Sequence, residues 1–91
     1  MSDASETYEI INELGLHARA ATKLVQLASR FQSEVDIEKD GQHANAKSVM
    51  GVLLLCGSKG TKLDVEASGA SAQEAVDKLG QLIHDRFGED E

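Results

Sequence analysis

The chain has no proline, one cysteine and three aromatic residues, Tyr8, Phe31 and Phe87. The lone thiol, Cys56, cannot form an internal disulfide, and its place after the apolar run Val52-Leu53-Leu54-Leu55 makes it a small hydrophobe rather than a nucleophile. The scarcity of aromatics combines with a formal net charge of -7, so the chain lacks both the basic field and the stacking side chains that nucleic acid requires. No long apolar run is present, which argues against a transmembrane helix, membrane insertion or a signal peptide and makes a cytoplasmic protein the expectation. Three scattered histidines and one cysteine do not have metal-site spacing, so no metal is expected. With 91 residues, 41% of them hydrophobic, the sequence suits one small folded domain over residues 1–91. A large cofactor cavity does not fit such a core, and no cofactor is expected. The acidic ends, residues 2–6 and 89–91, are expected to fray.

What is present is ordered punctuation. Residues 7–12 read as a strand, Gly15 as a turn, and residues 18–30 as a helix with Ala21, Leu24, Val25, Ala28 and Phe31 on one face. Val35 and Ile37 alternate with Glu34, Asp36 and Glu38 in a strand that turns at Asp40-Gly41 into a short strand over 42–46. Ser48 is placed to cap a helix over 49–55, and residues 62–67 form a fourth strand. Ser71 and Glu74 have capping-box spacing before a last helix carrying Val76, Leu79, Ile83 and Phe87, with Gly88 at its end. The order βαββαβα predicts an α+β two-layer open-faced sandwich, an antiparallel four-stranded sheet covered on one face by three helices. Chemistry must then sit at the rim.

The segment Gly15-Leu16-His17-Ala18-Arg19 offers such a rim site. A histidine capping a helix lies near backbone N–H groups that lack intrahelical partners, and these groups favour a bound anion. The positive helix end disfavours imidazolium, leaving a nucleophilic ring, and Arg19 adds a permanent charge. Taken alone, a histidine at a helix start can equally be a surface cap. Arg19, Lys23 and Arg30 stand out against the acidic background as a docking face for an acidic protein.

These residues, together with Lys47-Ser48-Val49-Met50-Gly51-Val52, the Ser58-Lys59-Gly60 turn and the Ala67-Ser68-Gly69-Ala70 turn, resemble the HPr family over about residues 7–88. Its members are phosphocarriers of the bacterial phosphoenolpyruvate-dependent sugar phosphotransferase system. The resemblance implies that His17 accepts a phosphoryl group on Nδ1 from enzyme I and passes it to enzyme IIA domains, with Arg19 stabilising the transferring group. It also implies that Ser48 is a regulatory site for an HPr kinase/phosphorylase, although helix capping alone would explain a serine there. Ala18, Lys23, Val49, Met50, Leu53 and Leu54 match the docking patch, with Met50 and Leu53 expected to be partly exposed.

Such a carrier is stoichiometric rather than enzymatic, and a monomer suits a shuttle. The alternatives are a nitrogen-related or regulatory HPr paralogue and a small acyl phosphate hydrolase. One departure is plain: Ala20 stands where the usual family pattern has proline. His43 and His84 match no functional position and are expected to be surface or structural.

Overall fold

The computed structural model describes residues 3–90. Its elements run β1 (Ala4–Glu9), α1 (Ala18–Ala28), β2 (Glu34–Lys39), β3 (Gln42–Asn45), α2 (Val49–Leu54), β4 (Lys62–Ser68) and α3 (Ala72–His84), followed by a single 3-10 turn, Arg86–Gly88. The four strands form one sheet in the order β1-β4-β2-β3, with every neighbouring pair antiparallel. This is the expected βαββαβα open-faced sandwich.

Alternation decides which face each strand buries. Val35 and Ile37 in β2 lie in register with Ala67 and Val65 in β4, so these side chains share the helix-covered face. All four are buried. Leu24, Val25 and Ala28 of α1, and Val76, Leu79 and Ile83 of α3, close over them. The opposite face carries Asp36, Glu38, Asp64 and Glu66 and stays uncovered, as an antiparallel sheet allows. There His43 is paired through Nδ1 with Asp36 at 2.7 Å and lies 3.5 Å from Glu38. His84 is exposed on α3, so both histidines lie at the surface.

Several boundaries differ from the sequence reading. The first strand begins at Ala4 and ends at Glu9 instead of spanning 7–12, because Ala4 to Glu9 pair in register with Ala67 to Lys62. Residues 4–6 are therefore strand rather than frayed terminus; Met1, Ser2 and Glu91 lie outside the described residues. α1 stops at Ala28, two residues short, where Arg30 and Phe31 donate to the Leu27 and Ala28 carbonyls in tightening turns.

The capping box at Ser71 does not form. Ser71 has φ +62 and makes no side-chain cap bond, so only its carbonyl joins the helix, accepting from Ala75 N–H. Phe87 lies beyond α3, in the 3-10 turn, yet is completely buried. Cys56, at φ +55, is exposed instead of joining the core.

Candidate phosphoryl-acceptor site

The connection from β1 to α1 is fixed at three points. Ile10 continues the edge of the sheet, donating to Thr61 O at 2.8 Å and accepting from Gly60 N at 2.7 Å. Asn12 is fully buried and its amide donates to Gly15 O at 3.0 Å. Gly15, at φ +64, lets the chain pass so close to Gly57 that a Cβ would fall 2.3 Å from the Gly57 carbonyl oxygen. The following Leu16 N–H donates to that same oxygen at 2.7 Å, and the Leu16 side chain is buried. His17 is thereby delivered to the start of α1.

His17 is the N-cap residue, with extended backbone and its carbonyl accepting from Ala21 N at 2.9 Å. Ala18, Arg19 and Ala20 occupy the first turn, where backbone N–H groups have no intrahelical acceptor. The imidazole does not cap them. Instead its Nε2 meets Oε2 of Glu89, while Nδ1 makes no hydrogen bond among the described residues. The ring remains reachable, with 26% of the side chain exposed.

Glu89 is the residue that sequence reasoning missed. Its other oxygen, Oε1, accepts from the Asn12 amide at 2.8 Å, so the carboxylate bridges the buried asparagine and the histidine. Burial raises the pKa of this carboxyl. The Asn12 and His17 hydrogen bonds and the nearby His17 and Arg19 charges together outweigh that effect and hold it below the ordinary carboxylate value. Nothing local in an acidic tail marks one glutamate among several. Asn12, a polar residue just before the turn glycine, carried a faint signal.

Arg19 is exposed and lines a recess of about 330 Å³ with Leu14, Lys23, Gly88, Glu89 and Asp90. Lys23 donates through Nζ to the Phe87 carbonyl at 2.7 Å, tying α1 to the C-terminal turn. The expected basic face is thus divided: Arg19 and Lys23 meet at the site, whereas Arg30 lies beyond the other end of the helix.

Ser48 is the N-cap of α2, and its Oγ accepts from Gly51 N at 3.1 Å. That short helix packs against α1 and β3, burying Val52 and leaving Val49 and Leu53 half-buried. Met50 and Leu54 are exposed at 68% and 70%, and Leu14 at 69%. Leu54 is therefore bare, whereas Leu53 is partly covered. Ala18 is exposed, and Ala20 is fully buried, at a position whose N–H would lose no intrahelical bond to proline. Among the described residues no cluster of side chains could hold a metal ion, and no helix is long and apolar enough to cross a membrane.

Comparison with known proteins identifies the family and the fold. Residues 4–85 match the family described as PTS HPr component phosphorylation site. The phosphocarrier protein HPr of Neisseria meningitidis is 48% identical over 86 residues, 94% of this chain and 97% of the relative. The crystal structure of HPr-C-His from Thermoanaerobacter tengcongensis is 43% identical and superimposes with a TM-score of 0.93, covering 97% of this chain and 99% of that one. A crystal structure described as an HPr dimer from the same organism has a TM-score of 0.77 at 44% identity, covering 98% of this chain and 100% of that one. A family match along most of the length, joined to the same fold in a solved relative, means that the chain belongs to the HPr family of phosphocarriers of the phosphotransferase system.

Proposed function

We propose that this chain receives a phosphoryl group on His17 Nδ1 from phosphorylated enzyme I and delivers it to enzyme IIA domains during sugar uptake. The observation that carries the reading is the position of His17: a reachable imidazole at the start of α1, where the first-turn N–H groups have no intrahelical acceptor and Arg19 follows two residues on. Phosphoryl transfer asks a protein mainly for alignment and charge stabilisation. The helix start supplies oriented donors, and Arg19 supplies a planar cation suited to phosphoryl oxygens. An open rim also lets the product leave, since a phosphohistidine enclosed by its own protein could not be passed on.

Exposed Met50 and Leu54, with Ala18, Val49 and Leu53, form the docking patch in this proposal. Lys23 holds the C-terminal turn through Phe87 O and still brings its charge to the recess beside Arg19, as part of the same docking patch. Ser48 is proposed as a regulatory site for an HPr kinase/phosphorylase. A phosphate there would bring about -1.5 to -2 charges to the edge of the patch while lying at a helix start that tolerates it. A monomer suits a shuttle that must meet its donor and its acceptors in turn, and the reading places the protein in the cytoplasm.

The deciding experiment supplies phosphoenolpyruvate and enzyme I and measures phosphate bound per protein. One acid-labile phosphate per chain is expected, absent in His17→Ala and formed much more slowly in Arg19→Lys, whose point charge cannot form the paired contacts. Labelling of His17→Ala at full stoichiometry refutes the carrier reading. Repeated release of inorganic phosphate without an acceptor would indicate an acyl phosphate hydrolase, and labelling only by a nitrogen-branch enzyme I would indicate the paralogue.

A further inference from the structure

We propose that Glu89 is a positioning residue for the phosphoryl acceptor, holding the Nε2–H of His17 so that Nδ1 presents the lone pair that attacks phosphorus. This rests on the carrier reading and deepens it. Glu89 lies outside residues 4–85, the part matched by the family, and reaches the site because the C-terminal segment folds back onto it.

Three observations support the assignment. The carboxylate is engaged at both oxygens, by Asn12 Nδ2 and by His17 Nε2, and its side chain is only 11% exposed. Asn12 also donates to Gly15 O, so the group that orients the carboxylate is fastened to the loop that carries His17. The segment before Glu89 is anchored by buried Phe87, whose carbonyl accepts from Lys23. The carboxylate is thus built in from two directions.

A neutral imidazole has one N–H donor and one lone-pair acceptor, and an ionised carboxylate can only accept. Pairing with Glu89 therefore assigns the proton to Nε2 and the lone pair to Nδ1, as a carboxylate does for a metal-ligating histidine. In the transfer, the Nδ1 electron pair forms the N–P bond while the bond from phosphorus to the enzyme I donor breaks and its electrons stay with the donor. No proton leaves His17. The ring, now bearing phosphorus on Nδ1 and hydrogen on Nε2, gains a positive charge that faces Glu89. Onward transfer returns the N–P electrons to the ring and cancels that charge. The carboxylate is placed against charge that develops during the step.

The test compares wild type, Glu89→Gln, Glu89→Ala and His17→Ala at neutral pH. Nitrogen-15 NMR of the imidazole reads the tautomer, and rapid-quench labelling by phosphorylated enzyme I reads the rate. Glu89→Ala is expected to increase the Nδ1–H form and to lower the maximal transfer rate about tenfold, with little change in the concentration of enzyme I giving half that rate. Glu89→Gln, whose amide oxygen still accepts from Nε2–H, is expected to keep the wild-type tautomer and give an intermediate rate. An unchanged tautomer and rate in Glu89→Ala, with the label still on His17, overturns the positioning role and leaves the carrier reading standing. A faster rate also overturns it, making Glu89 an occluding group. Full labelling of His17→Ala overturns the carrier reading itself and this proposal with it.

Discussion

Gly15→Ala should be among the most damaging single-methyl additions available in this chain. The φ of +64 places alanine in the left-handed region, at a cost of about 1–2 kcal/mol. The new Cβ would stand 2.3 Å from the Gly57 carbonyl oxygen and 2.9 Å from Ser58 Cα, both backbone atoms that no rotamer change can move. Forcing two packed segments apart costs about 1–3 kcal/mol. The same separation strains the 2.7 Å bond from Leu16 N–H to Gly57 O, worth about 0.5–1.5 kcal/mol. Together these amount to about 2.5–6.5 kcal/mol, a large share of the roughly 5–15 kcal/mol that stabilises a domain of this kind. At about 4–8 °C per kcal/mol, the melting temperature should fall by at least about 10 °C.

Gly41→Ala is the reference, because Gly41 has φ +85 but nothing within 4 Å of an added Cβ. It isolates the backbone cost. The difference between the two variants, followed by circular dichroism during heating and by urea midpoints, should be about 1.5–4.5 kcal/mol. Equal melting temperatures would refute the reasoning, since the contact between the 15–16 and 57–58 segments would then not constrain the fold.

Ser48→Ala should melt about 4–8 °C lower, because Gly51 N–H loses the side-chain acceptor in a cap worth about 1 kcal/mol. Ser48→Asp should retain the cap and melt like wild type while binding enzyme I more weakly in titration calorimetry; unchanged affinity would remove the charge argument. For His43, the hydrogen bond and charge of Asp36, with Glu38 and Glu66 contributing, raise the imidazole pKa above 6.5 despite opposing desolvation. A group whose pKa rises on folding adds stability that is complete below 6.5 and is lost as pH climbs through the raised value. The stability advantage of wild type over His43→Gln should therefore shrink towards alkaline pH, and a pH-independent difference in melting temperature would contradict this.

The architecture was legible because apolar side chains recur at two- and three-to-four-residue intervals, and the Asp40-Gly41 and Gly15 turns separate the elements. The N-cap positions of His17 and Ser48 were legible for the same reason, although only Ser48 caps with its side chain. The start of β1 was not, because Ser5 and Glu6 are exposed polar residues in an edge strand, and only pairing with β4 makes them strand. Ser71 misled because cap spacing records what a side chain can do, whereas the positive φ there takes its hydroxyl out of the cap bond. Glu89 was invisible for a different reason. Its partners stand 72 and 77 residues away, and no periodicity reports a contact across the length of a chain.

That separation also fixes an order of assembly. A polypeptide emerging from its N-terminus offers Asn12 and His17 first, and they wait for almost the whole remaining chain before Glu89 arrives. β1 waits similarly, since its partner β4 begins at Lys62. Local helices and the β2–β3 hairpin can form from nearby residues, whereas the edge strand and the His17–Glu89 contact depend on long loop closure, the slower kind of contact. A nascent or prematurely terminated chain thus displays His17 before Glu89 is there to pair with its ring.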